Sequence, residues 1–309
     1  MLFVKICYNK ADMQTIVIIG AGEIGTAIAR LIQRPGFSVE LWDRDPTKTH
    51  GQRSLSEVLP LSSTVFLCLP SWGIRSVLSS CLPLLPEDAV IVNLAKGIEK
   101  ETHQTMAQVI EGILPSGMSY GILGGPMLAE ELNLGMLGVG VVGTKERITF
   151  DRIRAVLDVS TLRLEWSDDP HLTALLGVLK NIYTVALGIA DGLEWGSNAK
   201  GWLVALTVRE MNDIVRSLHH GEQTSDGTAG IGDFIATAYS PYSRNREFGH
   251  QIVKTGAYDL KSEGCVSLPS LIALLGEQAS SCKVLMALNQ ILYARGNAKI
   301  VFEQLIREA

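Results

Sequence analysis

Short apolar runs alternate with helical patterns through the first half of the chain. Strands separated by helices are typical of parallel βαβ units, whose right-handed crossovers place helices on both faces of one sheet. We therefore predict a doubly wound parallel α/β sheet of the Rossmann type. The apolar runs lie at 15–20, 38–43, 64–70, 89–94 and 119–124, with a helical pattern at 26–34 and possible further strands at 139–143 and 161–166.

The pattern changes near residues 167–170, where Ser-Asp-Asp-Pro is a typical helix start. The following segment, 171–190, is apolar almost all round, which predicts a central buried helix. We place the boundary near residue 168, so that an α/β domain over 13–168 precedes an all-α domain over 169–309. Further helices are predicted at 200–219, 230–238, 243–254, 268–276 and 280–293.

Composition narrows the class of protein. Apolar residues make up 47% of the chain, which is enough for a large core. The net charge of −5 argues against a protein that coats nucleic acid or an anionic membrane. The uncharged stretch 58–74 contains two prolines and several serines, so no membrane span is expected there.

The cysteines and the start of the chain bear on location. The five cysteines are widely spaced without a C-x-x-C, so we expect neither a disulfide framework nor a metal site, but a reducing cytoplasm. The first twelve residues are too short and too polar for a signal peptide, and Met13 is a candidate natural start.

The motif Gly20-Ala21-Gly22-Glu23-Ile24-Gly25 follows the first predicted strand and opens a helix. In that context it predicts a dinucleotide site, with the pyrophosphate at the helix N-terminus. Asp43 ends the second predicted strand, where a carboxylate accepts from a ribose hydroxyl and repels a 2′-phosphate, so NAD is favoured slightly over NADP. The alternative for Asp43 is a plain D-x-D-P turn.

Two lysines are candidates for chemistry. Lys96 follows the fourth predicted strand, at the sheet edge where ligands bind, although a solvated loop lysine is the simpler interpretation. Lys180 lies within the apolar helix, where burial lowers the pKa of an ammonium and makes it a candidate general acid or base. Its alternative is a lysine whose head reaches solvent. Asp233 is either a helix cap or the carboxylate that pairs with Lys180.

The segment Ser243-Arg244-Asn245-Arg246 lies at a predicted turn-to-helix start. Forked arginine donors beside a helix N-terminus can bind a phosphate, whereas the simpler interpretation is a capped, solvated basic helix start.

In order along residues 14–264, these motifs resemble the NAD(P)-dependent glycerol-3-phosphate dehydrogenases, particularly the bacterial type. The resemblance rests on G-A-G-E-I-G, A-K-G-I-E, G-G-P-M-L-A-E-E, L-K-N-I-Y-T, S-N-A-K, G-I-G-D and, most specifically, S-P-Y-S-R-N-R-E-F-G. It implies reduction of dihydroxyacetone phosphate to sn-glycerol 3-phosphate for glycerophospholipid synthesis. It also implies a C-terminal helical domain like that of 6-phosphogluconate dehydrogenase. Because the helical domain is apolar, we expect a homodimer.

The resemblance implies that Lys180 is the proton donor and acceptor, that Lys96 holds the substrate near the nicotinamide, and that Asp233 is its partner carboxylate. Together with the motifs above, the predicted cofactor contacts are Gly20, Gly22, Glu23, Ile24, Gly25, Asp43, Lys96, Ala129, Arg244 and Glu263. The predicted substrate contacts are Lys96, Gly125, Lys180, Asn181, Asp233, Ser243, Arg244 and Asn245.

Two positions depart from the family pattern, because Met127 and Ala199 stand where the family usually has a hydroxyl residue. They leave two alternatives open. One is a reductase of the same build for another small acid, of the ketopantoate or hydroxyisobutyrate type. The other is a dinucleotide-binding regulator without catalysis.

Overall fold

The computed structural model describes residues 13–49, 51–219, 223–256 and 262–308. The expectations for residues 1–12 lie outside these ranges. Seven strands form one sheet in the order β2-β1-β3-β4-β5-β6-β7. Their bounds are β1 Gln14–Ile19, β2 Phe37–Trp42, β3 Ser62–Leu67, β4 Val90–Asn93, β5 Tyr120–Gly124, β6 Gly138–Gly143 and β7 Leu162–Ser167.

The predicted Rossmann-type sheet is confirmed, including the two strands expected to extend it. One part of the prediction is wrong, because β5 and β6 pair antiparallel while the other neighbours pair parallel. A parallel pairing requires a crossover, usually a helix, that runs back along the full length of the strand. Residues 125–137 contain only a five-residue helix, which is too short for that crossover.

Helices of the first part cover both faces of the sheet, and the helices that follow the last strand form a separate all-α part. The α/β part contains α1 Glu23–Ile32, α2 Leu55–Val58, α3 Ile74–Cys81, α4 Met106–Glu111, α5 Ala129–Asn133 and α6 Arg147–Leu157. The part after the sheet contains α7 Pro170–Gly192, α8 Ser197–His219, α9 Asp233–Tyr239, α10 Arg244–Thr255, α11 Glu263–Leu275, α12 Lys283–Leu292 and α13 Ala298–Glu308. The pattern did not predict α13.

Helix α7 is the axis of the helical part. Asp169, one of the three candidate caps in the Ser-Asp-Asp segment, caps it by accepting from the Leu172 amide at 2.8 Å. Pro170 occupies its first position, as the sequence predicts. It has the length and hydropathy of a membrane span, but 94% of its apolar window is buried inside the protein. The strands end at Ser167 and this helix starts at Pro170, but the division into two domains at residue 168 stays a prediction.

Helix α10 crosses α7 at very short range. A Cβ atom on Gly188 would lie 2.0 Å from the Arg246 carbonyl oxygen, and one on Gly249 would lie 2.2 Å from the Val185 carbonyl oxygen. Glycine at both positions therefore permits the contact. This packing brings the start of α10 beside the middle of α7, where Lys180 lies.

Candidate active site

The glycine turn, which we define as residues 20–25, joins β1 to α1. Gly20 has φ of +110°, and a Cβ atom on Gly25 would lie 1.9 Å from the Gly20 carbonyl oxygen. Gly22 is the N-cap of α1 and therefore has no side chain to accept from the first-turn amides, while the space where its Cβ would lie is open for 4 Å. Main-chain N–H groups at the start of α1, with Glu23 and Ile24 as its first residues, thus fit a dinucleotide pyrophosphate.

Asp43 lies directly beside this turn. Its Oδ2 accepts from the Ala21 amide at 2.9 Å, and its Oδ1 accepts from the Asp45 amide at 2.9 Å. The second bond is the predicted turn, whereas the first bond links the end of β2 to the glycine turn. Lys48 Nζ lies 3.6 Å from Oδ1. The same carboxylate therefore forms the predicted turn and also lies beside the predicted dinucleotide site.

Lys96 lies at the carboxyl edge of the sheet, where the chain leaves β4. Open α/β sheets bind ligands at this edge, beside the point where the strand order reverses. In this sheet the order reverses at β1, which lies between β2 and β3. Lys96 Nζ donates to Asp233 Oδ2 at 2.6 Å and to the Gly125 carbonyl at 3.4 Å. The α/β part and the helical part are thereby joined by an ion pair 137 residues apart in sequence.

Lys180 meets the same carboxylate from the helical side. Its Nζ lies 3.2 Å from Asp233 Oδ1 and donates to Thr237 Oγ1 at 2.8 Å. Thr237 in turn donates to Asp233 Oδ1 at 3.2 Å. We call Lys96, Lys180, Asp233 and Thr237 the lysine–carboxylate cluster. Thr237 was not among the predicted site residues, although it lies one helical turn after Asp233, a spacing that could have indicated it.

Burial and charge set the protonation states in this cluster. Lys180 is only 7% exposed, and burial lowers its pKa to about 8; Asp233 opposes that shift, while Lys96 adds to it. Burial would raise the pKa of Asp233, but the ammonium groups of Lys180 and Lys96 outweigh it, so that the pKa is lowered. One ionised carboxylate therefore lies between two cations, and one of them titrates near neutral pH.

The predicted phosphate segment starts α10. Ser243 caps the helix by accepting from the Arg246 amide at 3.2 Å, and Arg244 NH2 contacts Glu23 Oε1 at 2.8 Å across the cleft. Arg246 is directed elsewhere, because its Nε donates to Asp191 Oδ2 at 2.6 Å. Arg244 therefore connects the start of α10 to the start of α1, and the two helix starts lie opposite each other.

Three further residues predicted to contact the cofactor or the substrate are Glu263, Ala129 and Gly125. Glu263 uses its two carboxylate oxygens on Ser71, accepting from the amide at 2.9 Å and from the hydroxyl at 2.7 Å, and burial raises its pKa. Ala129 begins α5, and Gly125 presents its carbonyl to Lys96. Within the described ranges, no group of three or more His, Cys, Asp or Glu residues is arranged to hold a metal ion.

Comparison with known proteins identifies the family. Models described as the N-terminus and the C-terminus of NAD-dependent glycerol-3-phosphate dehydrogenase match residues 46–149 and 169–303. The glycerol-3-phosphate dehydrogenase [NAD(P)+] of Azotobacter vinelandii is 33% identical over 297 residues, which is 89% of this chain and 84% of the relative. The chain belongs to the NAD(P)-dependent glycerol-3-phosphate dehydrogenase family.

Solved structures of this family have the same fold. The glycerol-3-phosphate dehydrogenase of Coxiella burnetii is similar with a TM-score of 0.86 and 25% identity, over 96% of this chain and 99% of that one. The Plasmodium falciparum glycerol-3-phosphate dehydrogenase has a TM-score of 0.83 at 18% identity, over 97% of both chains, which shows the fold alone.

The two departures from the family pattern lie in different surroundings. A Cβ atom on Gly140 would lie 2.9 Å from the Met127 sulfur, so this side chain packs over the sheet beside β6. Ala199 lies in the first turn of α8, next to Lys200, whose Nζ lies 3.0 Å from Asp191. The lysine–carboxylate cluster contains neither residue.

Proposed function

We propose that this chain reduces dihydroxyacetone phosphate to sn-glycerol 3-phosphate with NADH or NADPH. The observation that carries the proposal is the lysine–carboxylate cluster, in which Lys96 and Lys180 share Asp233 at the carboxyl edge of the sheet. Family membership supports the choice of substrate, because the relatives are named for this activity. It does not favour the two alternatives, another small-acid reductase and a regulator without catalysis.

A reduced dinucleotide held at the glycine turn would supply the hydride for the substrate carbonyl carbon. Lys180 then donates a proton to the carbonyl oxygen, where negative charge would otherwise grow. An ammonium has three N–H donors, and Lys180 uses two of them on Asp233 and Thr237, which leaves one for the substrate oxygen. Its pKa of about 8 keeps it mostly protonated at neutral pH, yet close enough to give up a proton readily.

Asp233 and Lys96 prepare this proton transfer. The carboxylate fixes Lys180 from one side and Lys96 from the other, so that both ammonium groups face one small volume. Lys96 adds a second positive charge there and attracts the substrate oxygens. Since burial excludes water from Lys180 and Asp233, these interactions are stronger than they would be on a surface.

The substrate phosphate is assigned to the start of α10. Main-chain N–H groups in a first helical turn have no partner within the helix, and of those in α10 Ser243 caps the amide of Arg246. Arg244, which also pairs with Glu23, adds a forked cation. Binding energy at this remote group orients the carbonyl toward Lys180, which helps the reaction through positioning.

The finer features of the activity are part of the same proposal. A preference for NADH is supported by the Asp43 carboxylate beside the glycine turn, which would repel a 2′-phosphate. We also place the enzyme in the cytoplasm as a homodimer that supplies the backbone of glycerophospholipids.

The test is the oxidation of NADH and NADPH in the presence of dihydroxyacetone phosphate, with ketopantoate and unphosphorylated dihydroxyacetone as matched substrates. We expect fast turnover with the phosphorylated ketone alone, and faster turnover with NADH than with NADPH. Turnover with ketopantoate instead would overturn the substrate assignment. Tight cofactor binding without turnover on any of the three would favour the regulator.

A further inference from the structure

Asp191, Lys200 and Arg246 form a second group of charged side chains, outside the lysine–carboxylate cluster. Asp191 Oδ1 accepts from Lys200 Nζ at 3.0 Å, and its Oδ2 accepts from Arg246 Nε at 2.6 Å. The three residues belong to three different helices, α7, α8 and α10. The Asp191 side chain is only 15% exposed, so water screens these ion pairs less than it screens pairs on the surface. We call this group the charge triad.

Each charge of the triad lies at the unfavourable end of its own helix. Asp191 is the last residue but one of α7, where the helix dipole favours a cation. Lys200 and Arg246 lie in the first turns of α8 and α10, where the dipole favours an anion. The helices themselves therefore do not account for these three residue types, whereas their pairing with one another does.

The triad fixes the first turn of α10 at Arg246, together with two further contacts of that residue. The Arg246 amide donates to the Ser243 hydroxyl at 3.2 Å. A Cβ atom on Gly188 would lie 2.0 Å from the Arg246 carbonyl oxygen, so the main chain of Arg246 lies directly against α7. Its side chain is held by Asp191. The first turn therefore cannot slide along α7 or rotate about its own axis without losing one of these contacts.

This turn carries three predicted substrate contacts, because Ser243, Arg244 and Asn245 are the cap and the first two residues of α10. Asn245 Nδ2 donates to Asn181 Oδ1 at 2.9 Å, and Asn181 Nδ2 donates to the Lys96 carbonyl at 3.0 Å. An amide NH₂ group has two N–H donors, so each asparagine keeps one that no described residue engages. A displaced turn would carry the donors of Arg244 and Asn245 away from the substrate phosphate.

We propose that Asp191 is a positioning residue, which holds the first turn of α10 through Arg246 and thereby sets the place where the substrate phosphate binds. Lys200 supports it by fixing the other oxygen of the same carboxylate. Along α7, Asp191 lies about 16 Å from Lys180, so it acts on the phosphate end of the substrate and not on the proton transfer. This assignment deepens the proposed reductase function, and its kinetic consequences rest on that function.

The experiment removes the shared charge in the full-length protein. Asp191→Asn keeps the size of the side chain but not the charge that holds Lys200 and Arg246. Glu194→Gln is the matched control, because Glu194 follows α7 and pairs with Lys254 in the last turn of α10. The control therefore breaks an ion pair at the far end of the same helix. Both variants, and Lys200→Met, are compared with the unsubstituted protein by steady-state kinetics and amide hydrogen exchange.

For Asp191→Asn we expect the KM for dihydroxyacetone phosphate and the inhibition constant of inorganic phosphate to rise together, by about tenfold. The kcat and the dissociation constant for NADH should stay within about threefold, because the lysine–carboxylate cluster and the glycine turn are untouched. In the free protein, exchange of the 244–247 amides should speed by about threefold or more. Lys200→Met should cause smaller changes of the same kind, since Asp191 still holds Arg246, and Glu194→Gln should cause none.

Three results would overturn the proposal. Unchanged exchange of the 244–247 amides in Asp191→Asn would mean that the triad does not hold the first turn of α10. A fall in kcat with KM and phosphate inhibition retained would place the effect of Asp191 on the proton transfer. Equal changes in Glu194→Gln would show a general loosening of α10. The exchange measurement needs no turnover, so it decides the positioning role even if the unsubstituted protein does not reduce dihydroxyacetone phosphate.

Discussion

The glycine turn and the lysine–carboxylate cluster face the same cleft but are built in opposite ways. The turn is made by consecutive residues, and it offers main-chain N–H groups whose placement depends on missing side chains. The cluster joins Lys96 to a carboxylate 137 residues away, and the contacts among its four members are made by charged or hydroxyl side chains. The function of the glycine turn depends on the shape of its backbone, whereas that of the cluster depends on the balance of buried charges.

Because the two regions are built differently, substitutions in the glycine turn and in the cluster should have different consequences. In the turn, a new side chain obstructs the cofactor or the backbone without altering any titration. In the cluster, Lys96 and Asp233 shift the pKa of Lys180, and the two lysines lower the pKa of Asp233, because little water is present to screen the charges. Cofactor binding and turnover should therefore be lost independently of each other.

Lys180→Met should have the largest effect. It removes the proton donor but keeps a long apolar side chain, and turnover should fall by about 10²–10⁴-fold. Cofactor affinity, measured by the fluorescence of bound NADH, should be unchanged, since the glycine turn is untouched. Lys254→Met is the matched control, because Lys254 is a lysine on the surface that pairs with Glu194. Equal activity of the Lys180 variant and this control would show that Lys180 does not transfer the proton.

Gly22→Ala should give the reverse result, at a smaller scale. Its new methyl group meets no atom within 4 Å, so the fold and the cluster are retained, but the group stands where a pyrophosphate approaches. The dissociation constant for NADH should rise by about tenfold, equivalent to about 1.4 kcal/mol, while kcat at saturating cofactor is kept.

Gly25→Ala is the matched partner of that variant. Its methyl group would lie 1.9 Å from the Gly20 carbonyl oxygen, so the turn itself must move and the melting temperature should drop as well. If Gly22→Ala left NADH affinity intact, the pyrophosphate could not lie at this turn.

Glu23→Gln should have the smallest effect. The ion pair between Glu23 and Arg244 connects the two regions, but the two side chains are 57% and 70% exposed, and such pairs contribute little in water. We expect KM values for cofactor and substrate to change by less than about fivefold. Titration with salt checks this, because the difference between variant and unsubstituted protein should vanish as screening increases. A loss of activity as large as that of Lys180→Met would assign Glu23 to the catalytic machinery.

The sequence predicts the local features well and the long-range ones only in part. The glycine turn, the cap at Asp169 and the apolar α7 follow from short patterns, and the structure contains all three. The pairing of Lys96 with Asp233 was indicated only by the family resemblance, since no pattern along the chain connects them. The antiparallel β6, the helix α13 and the contact between Glu263 and Ser71 depend on packing that spacing alone does not encode.

The central claim is that one buried carboxylate balances two lysines, and the pH dependence of ketone reduction tests it most directly. Reduction needs protonated Lys180, so kcat/KM should fall as the pH rises through about 8. Asp233 raises the pKa of Lys180 and Lys96 lowers it. Asp233→Asn should therefore move this limb to lower pH, and Lys96→Met should move it to higher pH. Limbs that stay in place, or that both move in one direction, would contradict the account.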